Sequence, residues 1–237
     1  MDKYFKVDEK VNGYSIQKVI GEGRFGIAYL AINNYSEKCV IKQLKREMLS
    51  QSRKKLFYEE MILRHLDDPR FPKFISRFED RYREGYILEY VEGPVFYDLI
   101  KKHKYQFNRR DIYAIGGQLL EIVDILHSNN IIHRDIRLPN VILKKNNQLS
   151  LIDFGLARFI DDDRHLKQID YWFIGDFLIY LYYSRYRIYN GSKRPWYKEL
   201  DLNYEELKFL KKLMGLDGYY RNMEEIKIQF NKIKNMS

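Results

Sequence analysis

The chain has 237 residues, 45% hydrophobic and 32% charged, enough apolar material for a sizeable core and too much for a disordered chain. The single cysteine, Cys39, excludes an intrachain disulfide, fits a reducing compartment and reads as a small buried strand residue. The formal net charge of +9 gathers in clusters such as Lys101-Lys102-His103-Lys104 and Lys144-Lys145, and the longest apolar run, Tyr171 to Tyr183, is broken by Asp176 and falls short of the roughly 20 residues that span a bilayer.

Apolar–polar alternation predicts strands over Tyr14–Ile20 and Ile27–Ile32. Gly21-Glu22-Gly23-Arg24-Phe25-Gly26 lies between them. A dinucleotide-binding fold also uses this glycine spacing, but it needs a helix directly after the glycines. Strand, turn, strand instead makes the glycines a flap suited to cover phosphates. Cys39-Val40-Ile41-Lys42 continues the strands. Leu56, Glu59, Ile62, Leu63 and Leu66 at helical spacing predict a helix over Ser52–Leu66, stopped by Asp67-Asp68-Pro69. Strands are expected over Phe74–Phe78 and Tyr86–Tyr90, then a turn and hinge at Gly93-Pro94. Beyond it helices dominate, at Asp111–Ser128 and near 170–184, 204–214 and 222–234, with short strands around Val141–Leu143 and Leu149–Ile152. The order predicts an α+β chain, one domain of two lobes: a β-rich lobe over 1–92 and a helical lobe over 93–237. The N-terminus opens with alternating charges, and no signal peptide is expected there.

Residues 133–140 read His-Arg-Asp-Ile-Arg-Leu-Pro-Asn, and residues 151–155 read Leu-Ile-Asp-Phe-Gly. The carboxylate of Asp135 stands five residues before the amide of Asn140, and Asp153 follows 13 residues later. Phosphoryl transfer needs such a set. One carboxylate orients the attacking hydroxyl, and a carboxylate with an amide oxygen holds hard Mg²⁺ ions against the phosphates. With the glycine flap and Lys42 in order before them, these segments resemble the eukaryotic-like protein kinases over most of the chain.

That resemblance implies a bilobal fold, ATP and Mg²⁺ as cofactors, and transfer to a protein hydroxyl, Ser or Thr. It implies that Gly21, Glu22, Gly23, Arg24, Phe25 and Gly26 cover the phosphates and that Lys42 holds them, paired to an acidic residue of the following helix; Glu59 and Glu60 both qualify, and keeping Leu63 and Leu66 on the inner face favours Glu59, with Glu60 then a surface charge. Ile20, Ala28, Val40, Leu88 and Ile142 would enclose the adenine, with main-chain groups of Glu89 and Val91 at its edge. Val40 replaces a usual small residue while Ala28 replaces a usual valine, a volume exchange that keeps the slot filled. Asp135 would orient the acceptor hydroxyl, Arg137 would face the γ-phosphate where lysine is usual, and Asn140 and Asp153 would bind metal. His133 reads as a packed structural histidine, stacked with Leu63, Phe74 and Phe154.

The pattern also departs from the family. Asp170-Tyr171-Trp172-Phe173-Ile174-Gly175 resembles the start of the family's buried central helix, yet only residues 156–169 separate it from Gly155. The long activation segment and its Ala-Pro-Glu motif are missing, as in Rio and other minimal atypical or bacterial kinases. Residues 156–169 contain no Ser, Thr or Tyr, and the whole chain lacks Thr, so a phosphorylation switch in this loop is excluded. Constitutive competence or control by a partner is expected instead. The acidic run Asp161-Asp162-Asp163 reads either as a solvated acidic turn or as a permanent source of the negative charge that Arg134 normally finds on a loop phosphate, and Arg221 either resembles an arginine whose glutamate partner is gone or is simply exposed. Some tyrosine kinases also place arginine at the position of Arg137, which leaves Ser/Thr against Tyr open. Other readings are a small-molecule kinase of the aminoglycoside or choline kind, an ATPase subunit of a larger assembly, and a non-catalytic nucleotide-binding scaffold. The expected partners are ATP and a protein substrate; the basic clusters read either as a solvated lysine-rich surface or as a docking face for an acidic partner, nucleic acid or anionic lipid. No nucleic-acid motif is present, and a cytoplasmic location is expected.

Overall fold

The computed structural model describes residues 2–50, 58–160, 164–186 and 194–236, with the backbone alone at 164 and 165. The chain forms two compact units: residues 1–92 with 152–155, and residues 93–151 with 156–237. The change of unit after Glu92 falls at the expected Gly93-Pro94 turn. Gly93 has φ +147, and a Cβ there would lie 2.4 Å from the carbonyl oxygen of Leu143, so only glycine fits. The return of residues 152–155 to the first unit leaves no mark in the sequence.

The first unit is built on a six-stranded antiparallel sheet, β1 (Lys10–Val11), β2 (Tyr14–Glu22), β3 (Gly26–Ile32), β4 (Lys38–Leu44), β5 (Phe74–Glu79) and β6 (Glu84–Glu89), in the order β1-β2-β3-β4-β6-β5. The period of two sorts its side chains. Ile27, Tyr29 and Ala31 of β3 and Cys39 and Ile41 of β4 are fully buried on one face, with Ile16, Phe78 and Ile87. Ala28, Leu30, Val40 and Lys42 point to the other face and are half-buried. The segment before β1 closes the buried face. Phe5 meets Tyr29 edge-on at 5.4 Å and Phe78 at 5.6 Å, and the guanidinium of Arg83 lies 3.6 Å from the Phe5 ring centroid. Glu9 and Asp80 hold that arginine in place. Burial pushes the Cys39 thiol up to about 12, which makes it a packing group and not a nucleophile.

Helix α1 (Tyr58–His65) buries Glu59, Glu60, Ile62 and Leu63. The first part of the expected helix, including Leu56, lies outside the described residues. Glu60 is not a surface charge: it is buried and bonded to Arg64 Nε at 2.9 Å and to Arg77 of β5. Successive helical residues are about 100° apart, so two neighbours both face inward where the helix packs along its flank.

The second unit contains α2 (Phe96–Lys101), α3 (Arg109–Ser128), β7 (Ile131–Ile132), β8 (Val141–Leu143), β9 (Leu149–Leu151), β10 (Arg158–Phe159), α4 (Arg164–Tyr183), α5 (Trp196–Glu199), α6 (Tyr204–Leu213) and α7 (Met223–Asn235). Helix α3 starts two residues before the predicted position because Asn108 forms a reciprocal cap. Its side chain accepts from Asp111 N at 2.9 Å, and Asp111 accepts from Asn108 N at 3.0 Å. Asn203 and Glu206 cap α6 in the same way. Helix α2 was not expected. It is fixed by Phe96, whose ring stacks on Phe107 at 5.5 Å and meets Phe177 of α4 at 5.1 Å. Among the described residues no helix is long and apolar enough to cross a membrane.

Candidate active site

In the first unit, β2 and β3 form a hairpin around the glycines, closed by Gly23 N donating to Gly26 O at 3.0 Å. A Cβ on Gly26 would sit 2.5 Å from the carbonyl oxygen of Gln43, which explains glycine at that position. Gly21 and Gly23 have open space where a Cβ would point, so the flap exposes bare backbone of the kind that approaches phosphates. Glu22 accepts from Tyr4 Oη at 3.0 Å and pairs with Lys45 at 2.7 Å. Arg24 lies over the Phe25 ring. Ile20 occupies a register shift between Val19 and Gly21 and stays 44% exposed, because a bulge re-aims the side chain.

Lys42 of β4 reaches two carboxylates. Its Nζ lies 2.6 Å from Glu59 Oε2 and 2.7 Å from Asp153 Oδ1. Burial works against the lysine's charge, but Asp153 and Glu59 outweigh it, and the pKa lies well above the usual lysine range. Glu59, and not Glu60, therefore faces Lys42. Its Oε1 accepts from Phe154 N at 3.2 Å, and its Oε2 also accepts from the hydroxyl of Tyr86. Tyr86 is the polar residue here that sequence reasoning missed. It reads as one more aromatic in a buried strand, and only its register opposite Lys42 reveals the role. Burial, then the Glu59 charge, push its pKa well above the usual phenol range, so the hydroxyl stays protonated and donates.

Ala28 and Val40 share the Lys42 face of the sheet, and Leu88 of β6 is buried opposite Val40. Glu89 ends β6, its amide donating to Lys73 O at 2.9 Å, and Val91 lies beyond the paired strand. Phe154 meets Phe71 edge-on at 5.6 Å. Phe74 packs toward Tyr86 at 6.3 Å with Arg64 over its ring.

The second unit carries the His-Arg-Asp segment. A single 3₁₀ turn, Leu138–Asn140, brings Asn140 back to Asp135. Asn140 Nδ2 donates to Asp135 O at 2.9 Å and to Asp135 Oδ2 at 2.7 Å, which turns the amide oxygen outward from that pair as a candidate ligand for a hard cation. Arg137 grips the same carboxylate with two nitrogens, one at 2.9 Å. Ile142, in β8, is buried. Among the described residues no three His, Cys, Asp or Glu gather as a metal cage.

Asp170 organises this segment. It lies in the second turn of α4, fully buried, and accepts from His133 N at 2.9 Å, Arg134 N at 2.8 Å and His127 Nε2 at 3.0 Å. Arg134 is held at φ +66, a conformation that non-glycine residues adopt only when their surroundings impose it. His133 is fully buried, as a structural residue should be. Helix α4 begins six residues before the predicted start, so the segment between Gly155 and the central helix is even shorter than the motif spacing suggested. Asp176, on the same helix, has its pKa raised by burial against the lowering influence of Arg137. The acidic run Asp161-Asp162-Asp163 lies outside the described residues. Arg221 is exposed and pairs with Glu225 at 3.4 Å. Glu206, which is buried, pairs with the exposed Arg109 at 3.0 Å.

The protein kinase domain family matches residues 14–208. The "Probable serine/threonine-protein kinase YbdM" of Bacillus subtilis is 30% identical over 227 residues, 92% of this chain and 88% of its own length. The "Probable serine/threonine-protein kinase MARK-C" of Dictyostelium discoideum is 30% identical over 162 residues, 66% of this chain and 21% of its own. Human "Serine/threonine-protein kinase Nek5" is 32% identical over 162 residues, 65% of this chain and 22% of its own, so the chain spans about a fifth of these two relatives. The family match begins at the first residue of β2, runs into α6 and takes in Lys42, Glu59, Asp135, Asn140, Asp153 and Asp170: the chain belongs to the protein kinase domain family.

Proposed function

We propose that this protein is an ATP-dependent protein kinase that moves the γ-phosphate to Ser or Thr hydroxyls with the help of Mg²⁺. The observation that carries this reading is the Lys42 ammonium held charged between Glu59 and Asp153. A fixed cation beside an exposed glycine flap is what the α- and β-phosphates of ATP need. A scaffold that only binds a nucleotide has no use for the second set, Asp135 with Asn140.

In this reading Asp135 accepts the proton of the acceptor hydroxyl as its oxygen bonds to the γ-phosphorus, and ADP leaves as the bridging bond breaks. Arg137 keeps the Asp135 carboxylate oriented and brings positive charge to the transferred group. Mg²⁺, when bound, neutralises the charge that develops on the phosphate oxygens, and Asn140 and Asp153 are the residues to hold it. Strand β8 opens directly after Asn140, and β9 ends two residues before Asp153, with Val141 paired to Leu151. The Ser/Thr preference rests on the names of the relatives. An acidic partner for the lysine clusters and a cytoplasmic location, suggested by the lone buried thiol, belong to the same reading.

The test is transfer from γ-labelled ATP to a generic acceptor such as casein. Label should appear on serine of the protein, and Asp135→Asn should lower turnover by roughly 10²–10⁴-fold with nucleotide binding retained. Label recovered only as free phosphate or on a small alcohol refutes the protein-kinase assignment.

A further inference from the structure

We propose that Tyr86 is a positioning residue for Lys42, acting through Glu59 as a built-in latch that keeps the lysine–carboxylate pair closed without a phosphorylation switch. This deepens the kinase reading above and rests on it. Tyr86 is 1% exposed, on β6, and stands directly across from Lys42 in the β4–β6 register. The two side chains share a face of the sheet, with the Lys42 Nζ 6.0 Å from the Tyr86 ring centroid. Both converge on one atom, Glu59 Oε2, the ammonium at 2.6 Å and the phenol by its hydroxyl.

Glu59 has three side-chain torsions and sits on a helix of two described turns, so its carboxylate needs fixing from outside the helix. Glu60 ties the helix itself to β5 through Arg77, which does not restrain the Glu59 side chain. Phe154 N occupies the other oxygen, Oε1. Within the pair's own oxygen, Tyr86 is the donor that does not belong to the catalytic set. It is neutral, so it orients the carboxylate without competing for its charge. The ring is clamped by burial and by Phe74 at 6.3 Å, which makes the hydroxyl a fixed point. A buried carboxylate with three donors has one orientation, and with two it regains freedom to swing off the lysine.

The same latch accounts for a missing device. Residues 156–169 offer no hydroxyl for a regulatory phosphate. Every group that closes the Lys42 cluster (Glu59, Tyr86, Asp153 and the Phe154 amide) lies in the first unit.

Tyr86→Phe removes one oxygen and preserves the ring. With casein as acceptor, kcat/KM for ATP should fall by roughly 10- to 100-fold, the factor expected for one hydrogen bond to a buried charge. The KM for ATP should rise while the KM for casein stays within about two-fold, and treatment of the wild-type protein with a broad-specificity phosphatase should leave its rate unchanged. A purely structural role would lower the active fraction, reducing kcat and moving neither KM. Wild-type values of both KM and kcat in Tyr86→Phe overturn the latch, as does loss of wild-type activity on phosphatase treatment. Lys42→Met, run in parallel, separates the two claims. If it is inactive while Tyr86→Phe is normal, the latch fails and the kinase reading stands; if Lys42→Met transfers phosphate normally, the kinase reading itself fails.

Discussion

Replacing Asp170 with asparagine keeps the shape of the side chain and removes its charge. The carboxylate is fully buried and takes three donors: the amides of His133 and Arg134, and His127 Nε2. Asparagine has one oxygen to offer, and its amino group must face a donor on the other side. One charge-assisted bond is lost, worth about 1.5–3 kcal/mol, and the amide left unpaired in the interior costs about 1–3 kcal/mol more. The amide most exposed to this loss is that of Arg134, whose φ of +66 persists only while its neighbours hold it. Asp170→Asn should therefore destabilise the protein by about 2.5–6 kcal/mol. For a domain of this size each kcal/mol moves the melting midpoint by about 2–4 °C, so calorimetry should show a fall of roughly 5–24 °C. Asp135 is the next residue in the chain, and a misplacement of about 1 Å costs on the order of 10²-fold in rate. Turnover measured well below the melting range should fall by at least that factor, with nucleotide binding intact. A midpoint within about 2 °C of wild type together with unchanged turnover would refute the assignment of Asp170 as the anchor of this loop.

Two further outcomes follow from the packing. Glu206 is buried among Arg109, Tyr113, Tyr182 and the Asn203 amide; burial raises its pKa, but these donors outweigh it and hold it below the usual carboxylate range. Its folded pKa is thus below the unfolded value, so its stabilisation is present above about pH 4.5 and is lost as the pH falls through the folded value. Glu206→Gln should lower the melting midpoint at neutral pH and flatten its decline on acidification, and parallel declines in both proteins would contradict this. Phe5→Ala should cost about 3–5 kcal/mol in urea unfolding, since it empties the space under Arg83 and uncovers the sheet. A cost under about 1 kcal/mol would mean that the segment before β1 is not part of the core.

Much of the site was legible because its chemistry is local in sequence. Asp135 and Asn140 are five residues apart on one loop, and the glycine flap lies within one hairpin. The choice of Glu59 over Glu60 followed from helical spacing, although the burial of Glu60 did not. A carboxylate with two arginine partners is as comfortable inside as out, and nothing local names the second of them, Arg77. Nothing local in the sequence names Phe71 as a ring that meets Phe154.

The sequence by itself determined the order of strands and helices and the alternation that puts Lys42 on one face of its sheet, and it marked the residues proposed here to bind phosphate and metal. These follow from rules that reach only a few residues along the chain. The tertiary structure decided what lies across: Phe5 as the cover of the sheet, Tyr86 as a donor to Glu59, Asp170 as the anchor of the His-Arg-Asp loop, and Arg109 as the partner of the buried Glu206. Each joins groups from 24 to 97 residues apart. Such partners are chosen by packing, because a buried polar group must find a donor or acceptor wherever the folded chain happens to offer one.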